Sequence, residues 1–355
     1  MSMSNVKKIQ QHLGALDALL LTDPITIRYA SGFFITDGAA IIGRDKAWLI
    51  TDSRYEEAAR ETVTDMEILS ASSGTPFKTL AGHIFDQNAF AAVGAEADRM
   101  SRAEWQRMEE DLGVTLQSGE QVIAGLRPSK SDEELDCLIA AQRVAEKALD
   151  ELLGVIRPGM TEKELAAELV YRLYKFGGEA NSFDPIVVTG SKTSMPHGVP
   201  GDKIIQSGDF ITMDFGTMYN GYCSDMTRTV AVGHVTDEMR TVYETVLAAQ
   251  LAGIEAARPG VTGREIDAAA RNVIESAGYG EYFGHSFGHS LGLEIHEAPN
   301  AAPRNDQPMP DRAVISAEPG IYIPGRFGVR IEDVLFLHGD GCIDITKAPK
   351  QLIIL

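Results

Sequence analysis

The chain has 355 residues, a length that predicts two domains rather than one. Hydrophobic residues make up 44% and charged residues 23%, a composition that excludes intrinsic disorder, a collagen-like fibre and a membrane-embedded bundle. Against 32 basic residues stand 51 acidic ones, so the formal net charge is −19 and bulk charge provides no attraction to nucleic acid or to an anionic membrane.

Short strands alternate with helices in the prediction for the first third of the chain. Compact apolar runs predict strands at residues 18–22, 39–43, 48–51 and 91–93. The dipeptide Asp23-Pro24 after the first run is interpreted as a chain breaker. Polar capping residues open helices predicted over residues 53–63 and 101–112. Together these elements predict an α/β domain at residues 1–127.

A polar, proline-interrupted segment at residues 127–131 follows this domain. Ser131 stands three residues before Glu134, a capping box that predicts a long helix over residues 132–155. The segment is therefore predicted to be a domain boundary, with a second domain at residues 128–355. A surface turn within a single domain is the alternative.

Cysteine usage and the apolar segments predict the compartment. The chain has three cysteines, an odd number, and they form no CxxC motif: Cys137, Cys223 and Cys342. This pattern favours a reducing compartment over a disulfide-bonded secreted protein. The first residues contain no apolar segment typical of a signal peptide, and the longest apolar stretches are too short to span a bilayer. We therefore expect a cytoplasmic protein with no membrane partner.

An internal repeat is visible in the second domain. The sequence of residues 157–161, RPGMT, recurs at residues 258–262 as RPGVT, and Glu164 and Gly177 have counterparts in Glu265 and Gly278. In each copy a long helix is predicted to end at Arg-Pro-Gly, and a threonine is predicted to cap the next helix. A duplicated half-domain is therefore predicted, with a site where the two halves meet.

Acidic and histidine side chains cluster in three segments of this domain. Asp214 and Asp225 lie in two strand-like runs that flank a predicted turn at Asn220-Gly221. Glycines surround His289, and Glu318 follows an apolar segment. Glu332 lies in the apolar run 329–336, which predicts a buried strand with Arg330 on the same face. The HExxH motif is absent, so the common zincin site has no support.

These segments contribute five candidate metal ligands: Asp214, Asp225, His289, Glu318 and Glu332. Carboxylates that share one pocket repel each other, and two divalent cations would cancel their charge. One imidazole among carboxylates suits Mn²⁺, Co²⁺, Fe²⁺ or Zn²⁺ better than a metal selected by thiolates. A pair of such ions activates water and polarises a carbonyl, which is hydrolytic chemistry.

The same motifs resemble those of the pita-bread metallopeptidase family that includes methionine aminopeptidase, aminopeptidase P and prolidase. The resemblance covers nearly the whole chain, and the segments at residues 27–33 and 51–55 are similar to a creatinase-type N-terminal domain. It implies a creatinase-like α/β domain followed by a pita-bread domain, of mixed α+β and α/β class, with a pseudo-twofold internal repeat. The motifs that carry it are DFG at 214–216, SDMTRT at 224–229, GHSLG at 288–292, HEAP at 296–299, EPGIY at 318–322 and GVRIED at 328–333.

The resemblance also implies roles for individual residues. Asp214 would bind one metal ion, His289 and Glu318 the other, and Asp225 and Glu332 would bridge them. Glu318 would take a proton from the attacking water. Three histidines would face the substrate: His197, His285 and His296. Substrate contacts are expected at Phe183, Tyr322 and Arg330. Mn²⁺ is the metal expected to fill the site.

The implied substrate is a short peptide with proline in second position, cleaved before the proline. A dipeptide or a longer peptide fits this expectation equally well. A creatinase-like amidohydrolase and a catalytically inactive peptide-binding module of the same fold are the alternatives, and both are disfavoured because all five ligands are present. A homodimer is expected from the resemblance.

Overall fold

A computed structural model describes residues 3–355 of the chain. It divides into two compact units, residues 1–127 and residues 128–355. Within the described residues, no helix has both the length and the apolar character that crossing a bilayer requires.

A mixed six-stranded sheet forms the centre of the first unit, in the order β4-β3-β2-β1-β5-β6. β1 pairs in parallel with β5 and antiparallel with β2, and the strands at the centre of the sheet are buried along their length. Its strands are β1 (Ala18–Leu21), β2 (Ala39–Gly43), β3 (Ala47–Asp52), β4 (Glu67–Ala71), β5 (Val93–Ala95) and β6 (Leu116–Ser118). Its helices are α1 (Asn5–Gln11), α2 (Pro24–Ser31), α3 (Glu56–Thr62), α4 (Phe77–Asn88), α5 (Arg102–Leu112) and α6 (Glu120–Leu126).

The predicted elements of this unit are present, with three differences. Asp23-Pro24 begins a helix rather than breaking the chain, because the Asp23 carboxylate accepts hydrogen bonds from the first backbone N–H groups and proline fits the first helical position. The helix predicted from residue 53 begins at Glu56. The strand predicted at residues 91–93 begins at Val93, because Asp17 binds the backbone N–H groups of Ala91 and Ala92.

A buried carboxyl lies just after β5. Glu96 is 2% exposed, and the Thr26 hydroxyl donates to its Oε2 atom at 2.8 Å. Burial raises the pKa of Glu96 to about 7, and the nearby charge of Asp23 adds to the effect. Because this pKa lies above its value in the unfolded chain, the stability that protonated Glu96 provides is present below about pH 4.5 and is lost as the pH rises through about 7.

We expect Glu96→Gln to raise the free energy of unfolding at pH 8 by about 1–3 kcal/mol, because glutamine places no charge in this site. The gain should shrink towards pH 5, where the folded protein carries Glu96 protonated. Thermal unfolding of the full chain at the two pH values measures it, with Glu110→Gln on the exposed face of α5 as the matched control. Equal stability changes at pH 5 and pH 8 would contradict the assignment.

The second unit contains two helix pairs and two principal sheets. The sheets have the orders β11-β8-β7 and β13-β12-β14-β17-β18, and two hairpins, β9–β10 and β15–β16, accompany them. The helices are α7 (Asp132–Leu153), α8 (Glu162–Lys175), α9 (Asp237–Ala256) and α10 (Gly263–Ser276). The strands are β7 (Ile186–Thr189), β8 (Phe210–Phe215), β9 (Met218–Tyr219), β10 (Tyr222–Cys223), β11 (Met226–Ala231), β12 (Gly288–Ser290), β13 (Glu297–Ala301), β14 (Val314–Ala317), β15 (Gly320–Ile323), β16 (Phe327–Arg330), β17 (Asp333–His338) and β18 (Gly341–Asp344).

The two halves of this unit repeat the same local structure. Thr161 caps α8 and Thr262 caps α10, each within a complete capping box. Gly159 and Gly260 precede these caps with positive φ, and the backbone N–H of each donates to a carbonyl almost 50 residues downstream, that of Ile205 or Met309 respectively. Each threonine also forms an isolated antiparallel bridge, to Ile204 or Pro308. The predicted internal repeat is confirmed by these matching contacts.

Candidate metal centre and active site

The first half-domain contributes two aspartates. Asp214 lies on β8, directly opposite Thr227 of β11 in antiparallel register. Asp225 lies in the short segment between β10 and β11, so the prediction that it belongs to a continuous strand is wrong. The turn before it is the predicted one: Asn220 and Gly221 both have positive φ, 46° and 77°, as the tightest hairpin turns require.

The second half-domain contributes the other three candidates. His289 lies on β12, and Glu318 lies between β14 and β15. Glu332 lies between β16 and β17, so the continuous strand predicted for residues 329–336 is wrong.

The buried side chain of Arg228 binds the backbone at Glu332, where the predicted strand is interrupted. Its buried guanidinium donates to the Glu332 carbonyl oxygen at 2.6 Å and to the Asp333 carboxylate at 2.7 Å. It also donates to the carbonyl oxygens of Ala348 and Pro349, close to the end of the chain. The Glu332 carbonyl therefore bonds to a side chain, while its backbone N–H donates to the Thr227 carbonyl of β11, and the strands on either side of this residue pair in different sheets.

The five candidate ligands converge at one place. Asp225, His289 and Glu332 each offer an atom within 4.8 Å of the other two. His289 Nε2 lies 3.5 Å from Asp225 Oδ2 and 3.3 Å from Glu318 Oε1. Asp214 joins the group through Arg330, which donates to its Oδ2 atom. Residues separated by more than a hundred positions thus form one acidic cluster.

Burial and mutual repulsion raise the pKa of most carboxyls in the cluster. Burial raises the pKa of Asp225 well above its usual value, and the charge of Asp214 adds to this. Burial likewise raises the pKa of Glu332, followed by the charge of Asp225. Burial opposes ionisation of Glu318 and of His289, yet their mutual contact lowers the pKa of Glu318 to about 2 and raises that of His289 to about 9. In the metal-free protein these two groups therefore form an ion pair.

The donor set fits a divalent cation. Asp214 Oδ1 is buried and has no hydrogen-bond partner among the described residues, so it is available as a ligand. A cation would also offset the repulsion that raises the pKa of Asp225 and Glu332. Carboxylate oxygens with one imidazole nitrogen suit first-row divalent metals. Asp225, His289 and Glu332 are close enough to hold one ion together.

A cavity of about 570 Å³ opens above the cluster. All five candidate ligands line it, together with the predicted substrate-facing residues His197, His285, His296, Phe183 and Arg330. The volume lies in the range of cavities that enclose small-molecule ligands. The structure therefore brings the predicted ligands and nearly all of the predicted substrate residues to one cavity.

Tyr322 is placed differently from the prediction, behind the cavity rather than in its wall. Its hydroxyl is 2.9 Å from His285 Nε2 and accepts a hydrogen bond from Arg330 at 2.7 Å. Arg330 in turn binds Asp214. Tyr322 therefore holds two side chains that face the cavity, His285 and Arg330.

Thr227 is a site residue to which the sequence analysis assigned no role. Its hydroxyl donates to Glu332 Oε2 at 2.7 Å and accepts from Arg330 Nε at 3.0 Å. The same hydroxyl thus orients a candidate ligand from the other half-domain. In the sequence Thr227 lies within the SDMTRT motif, but its position opposite Asp214 depends on the register of a strand pair.

Comparisons with known proteins identify relatives over both units. Residues 136–338 match metallopeptidase family M24, and residues 4–129 match the creatinase/prolidase N-terminal domain. A protein named Xaa-Pro dipeptidase from Pyrococcus furiosus is 34% identical, and the match covers 96% of each chain.

Solved structures match over nearly the whole chain. A structure titled Xaa-Pro dipeptidase from Bacillus anthracis has a TM-score of 0.95 and 39% identity, covering 99% of this chain and 100% of that one. An X-Pro aminopeptidase from Thermotoga maritima has a TM-score of 0.93 and 36% identity, covering 98% and 99%. The names of these relatives agree on an X-Pro bond and differ between dipeptidase and aminopeptidase.

Proposed function

This chain belongs to metallopeptidase family M24, and on that premise we propose that it removes the N-terminal residue from peptides with proline in second position. The observation that carries the proposal is the acidic cluster with its single histidine at the base of an open cavity. The X-Pro specificity follows the names of the relatives at 34–39% identity.

The five clustered side chains would hold two divalent cations, of which Mn²⁺ is our choice. Asp214 would bind one ion, His289 and Glu318 the other, and Asp225 and Glu332 would bridge them. The charges of both Asp214 and Glu318 act on Asp225 and on Glu332, which supports the bridging role. When bound, such ions lower the pKa of water and polarise the scissile carbonyl.

The remaining side chains would bind the peptide and move the proton. Glu318 would accept a proton from the attacking water, and it lines the cavity beside His289. His197 and His296 would donate hydrogen bonds to the scissile carbonyl oxygen as negative charge develops on it. Phe183 and His285 would enclose the proline ring, and Arg330 would keep Asp214 in place.

A site of this kind suits the bond before proline. That bond is a tertiary amide with no N–H group, and the ring restricts the backbone. Peptidases that bind the N–H at the scissile position therefore lose that contact with an X-Pro bond, whereas a site that recognises the carbonyl and the ring does not.

The proposal is tested with the Mn²⁺-loaded protein and a matched pair of tripeptides, Ala-Pro-Ala and Ala-Ala-Ala. We expect release of alanine from the first and at least about tenfold slower release from the second, with no release after the metal is removed. Equal rates of hydrolysis of the two peptides would contradict the proposed specificity for proline in second position. Full metal occupancy with no turnover of either tripeptide or of the dipeptide Ala-Pro would favour a binding module, and turnover of creatine instead would favour an amidohydrolase.

A further inference from the structure

The charges that line the cavity are strongly unequal. Five carboxylates line it, namely Asp184, Asp214, Asp225, Glu318 and Glu332. Among the described residues that line it, Arg330 is the one lysine or arginine side chain. Two divalent cations would bring this set close to electrical neutrality. No positive charge is then left over in the lining for an anionic group of the substrate.

Arg330 is already committed to other partners. Its guanidinium forms an ion pair with Asp214 and hydrogen bonds with the Tyr322 hydroxyl and the Thr227 hydroxyl. Its side chain is 4% exposed. To bind a carboxylate of the substrate, it would have to release Asp214 and leave that carboxylate buried without its cation, which is strongly unfavourable.

Asn300 is a neutral residue of the cavity lining beside a candidate metal ligand. It lies on β13 directly opposite His289, so both side chains belong to the same face of this strand pair. It lines the cavity and is exposed to solvent. Its neutral amide donates hydrogen bonds to a carbonyl oxygen as readily as to a carboxylate, but it does not compensate a charge.

The two classes of X-Pro substrate differ in the group attached to proline. In a free dipeptide the proline Cα carries a carboxylate, and in a longer peptide it carries a neutral amide. The carbon atom of this carboxylate or amide group is only two bonds from the nitrogen of the scissile bond, about 2.5 Å away. The group must therefore enter the cavity together with that bond. A carboxylate placed there finds no uncommitted lysine or arginine among the described residues of the lining to pair with, whereas an amide carbonyl is uncharged and needs none.

We propose that this site acts on peptides that continue beyond the proline and discriminates against free X-Pro dipeptides, with Asn300 as the residue that sets this preference. The inference rests on the proposed function, and it selects an aminopeptidase over a dipeptidase for this chain.

The preference is tested by measuring kcat/KM for Ala-Pro, its C-terminal amide and Ala-Pro-Ala with the metal-loaded protein. We expect the amide and the tripeptide to exceed the dipeptide by at least about tenfold, equivalent to about 1.4 kcal/mol. A dipeptide that is cleaved as well as its amide overturns the inference while leaving X-Pro hydrolysis intact. If none of the three is cleaved, the proposed function itself fails.

Substitution of Asn300 tests the assignment to this residue. We expect Asn300→Arg to raise kcat/KM for Ala-Pro at least about tenfold relative to that for the amide, because the guanidinium pairs with the carboxylate. Asn300→Gln, which lengthens the side chain without adding charge, should keep the wild-type ratio. If Asn300→Arg keeps its metal but leaves the ratio of kcat/KM for Ala-Pro to that for the amide unchanged, Asn300 does not set the preference.

A binding measurement separates recognition from catalysis. L-Proline and L-prolinamide, which differ in the carboxylate, are compared as inhibitors of Ala-Pro-Ala hydrolysis. In the wild-type protein proline should inhibit no better than prolinamide, and in Asn300→Arg it should inhibit at least about tenfold better. Stronger inhibition by proline in the wild-type protein would show that a cation for the carboxylate is already present and would overturn the inference.

Discussion

We expect Glu332→Ala to lower kcat/KM for Ala-Pro-Ala by at least about 10³-fold and to reduce the amount of metal bound per chain. Glu332 is 1% exposed and offers a carboxylate oxygen close to those of Asp225 and His289. Substitutions that only disturb the orientation of a metal ligand already cost about 10–100-fold, so the loss of a shared ligand should cost more. Steady-state kinetics and metal analysis of the purified variant measure both effects.

The substitution Glu332→Gln should change the unfolding temperature of the protein in opposite directions with and without metal. In the metal-free protein Glu332 repels Asp225, so Glu332→Gln should unfold at a higher temperature than metal-free wild type. With metal in excess the wild type should be the more stable of the two, because the variant binds metal less tightly. Glu238→Ala, which removes an exposed surface partner of Arg326, is the control and should change neither quantity appreciably. Full metal content and full activity in Glu332→Ala would exclude Glu332 as a ligand.

Removal of the metal should abolish activity, and Mn²⁺ should restore it. Dialysis against a chelator leaves the acidic cluster without compensation, so we expect a lower unfolding temperature as well as no turnover. Metal at a hundred times its dissociation constant stabilises a folded protein by about 2.7 kcal/mol. Titration of Mn²⁺ into the metal-free protein, followed by activity and thermal unfolding, gives the number of ions needed for each.

The affinity for metal should fall as the pH is lowered from 9 to 6. A ligand must lose its proton before it binds, and in the metal-free protein the pKa of His289 is raised to about 9 while that of Asp225 is raised well above its usual value. Metal binding at pH 7 should therefore release protons. Calorimetric titrations in two buffers of different ionisation enthalpy count them. Affinity that is independent of pH, with no proton released, would show that these groups do not bind the metal.

Much of the architecture follows from local sequence. Capping residues such as Ser131 and Thr262 begin helices where the sequence places them, because their side chains bind backbone N–H groups only a few positions away. The predicted family and the predicted fold, a creatinase-type domain followed by a pita-bread domain, are confirmed by the matches to both units. The assignment of individual ligands and of two metal ions stays a prediction.

Strand boundaries in the site could not be predicted from local sequence. The apolar pattern around Glu332 is typical of a continuous strand, yet the strands before and after Glu332 pair in different sheets, and Arg228 binds the Glu332 carbonyl between them. Arg228 precedes Glu332 by more than a hundred residues, and it also binds the chain near its end, at Ala348. A hydropathy pattern contains no information on such a partner.

The sequence by itself determined which side chains are unusual enough to act together: acidic residues in segments that otherwise predict strands, and a histidine among glycines. This is possible because an acidic residue in an apolar segment is unfavourable unless something compensates its charge. Only the tertiary structure decided that Tyr322 lies behind the cavity wall, that Thr227 links the two half-domains, and that the neutral Asn300 lines the cavity opposite His289. These are properties of strand register and of packing between distant segments, which arise when the chain folds and which no local pattern encodes.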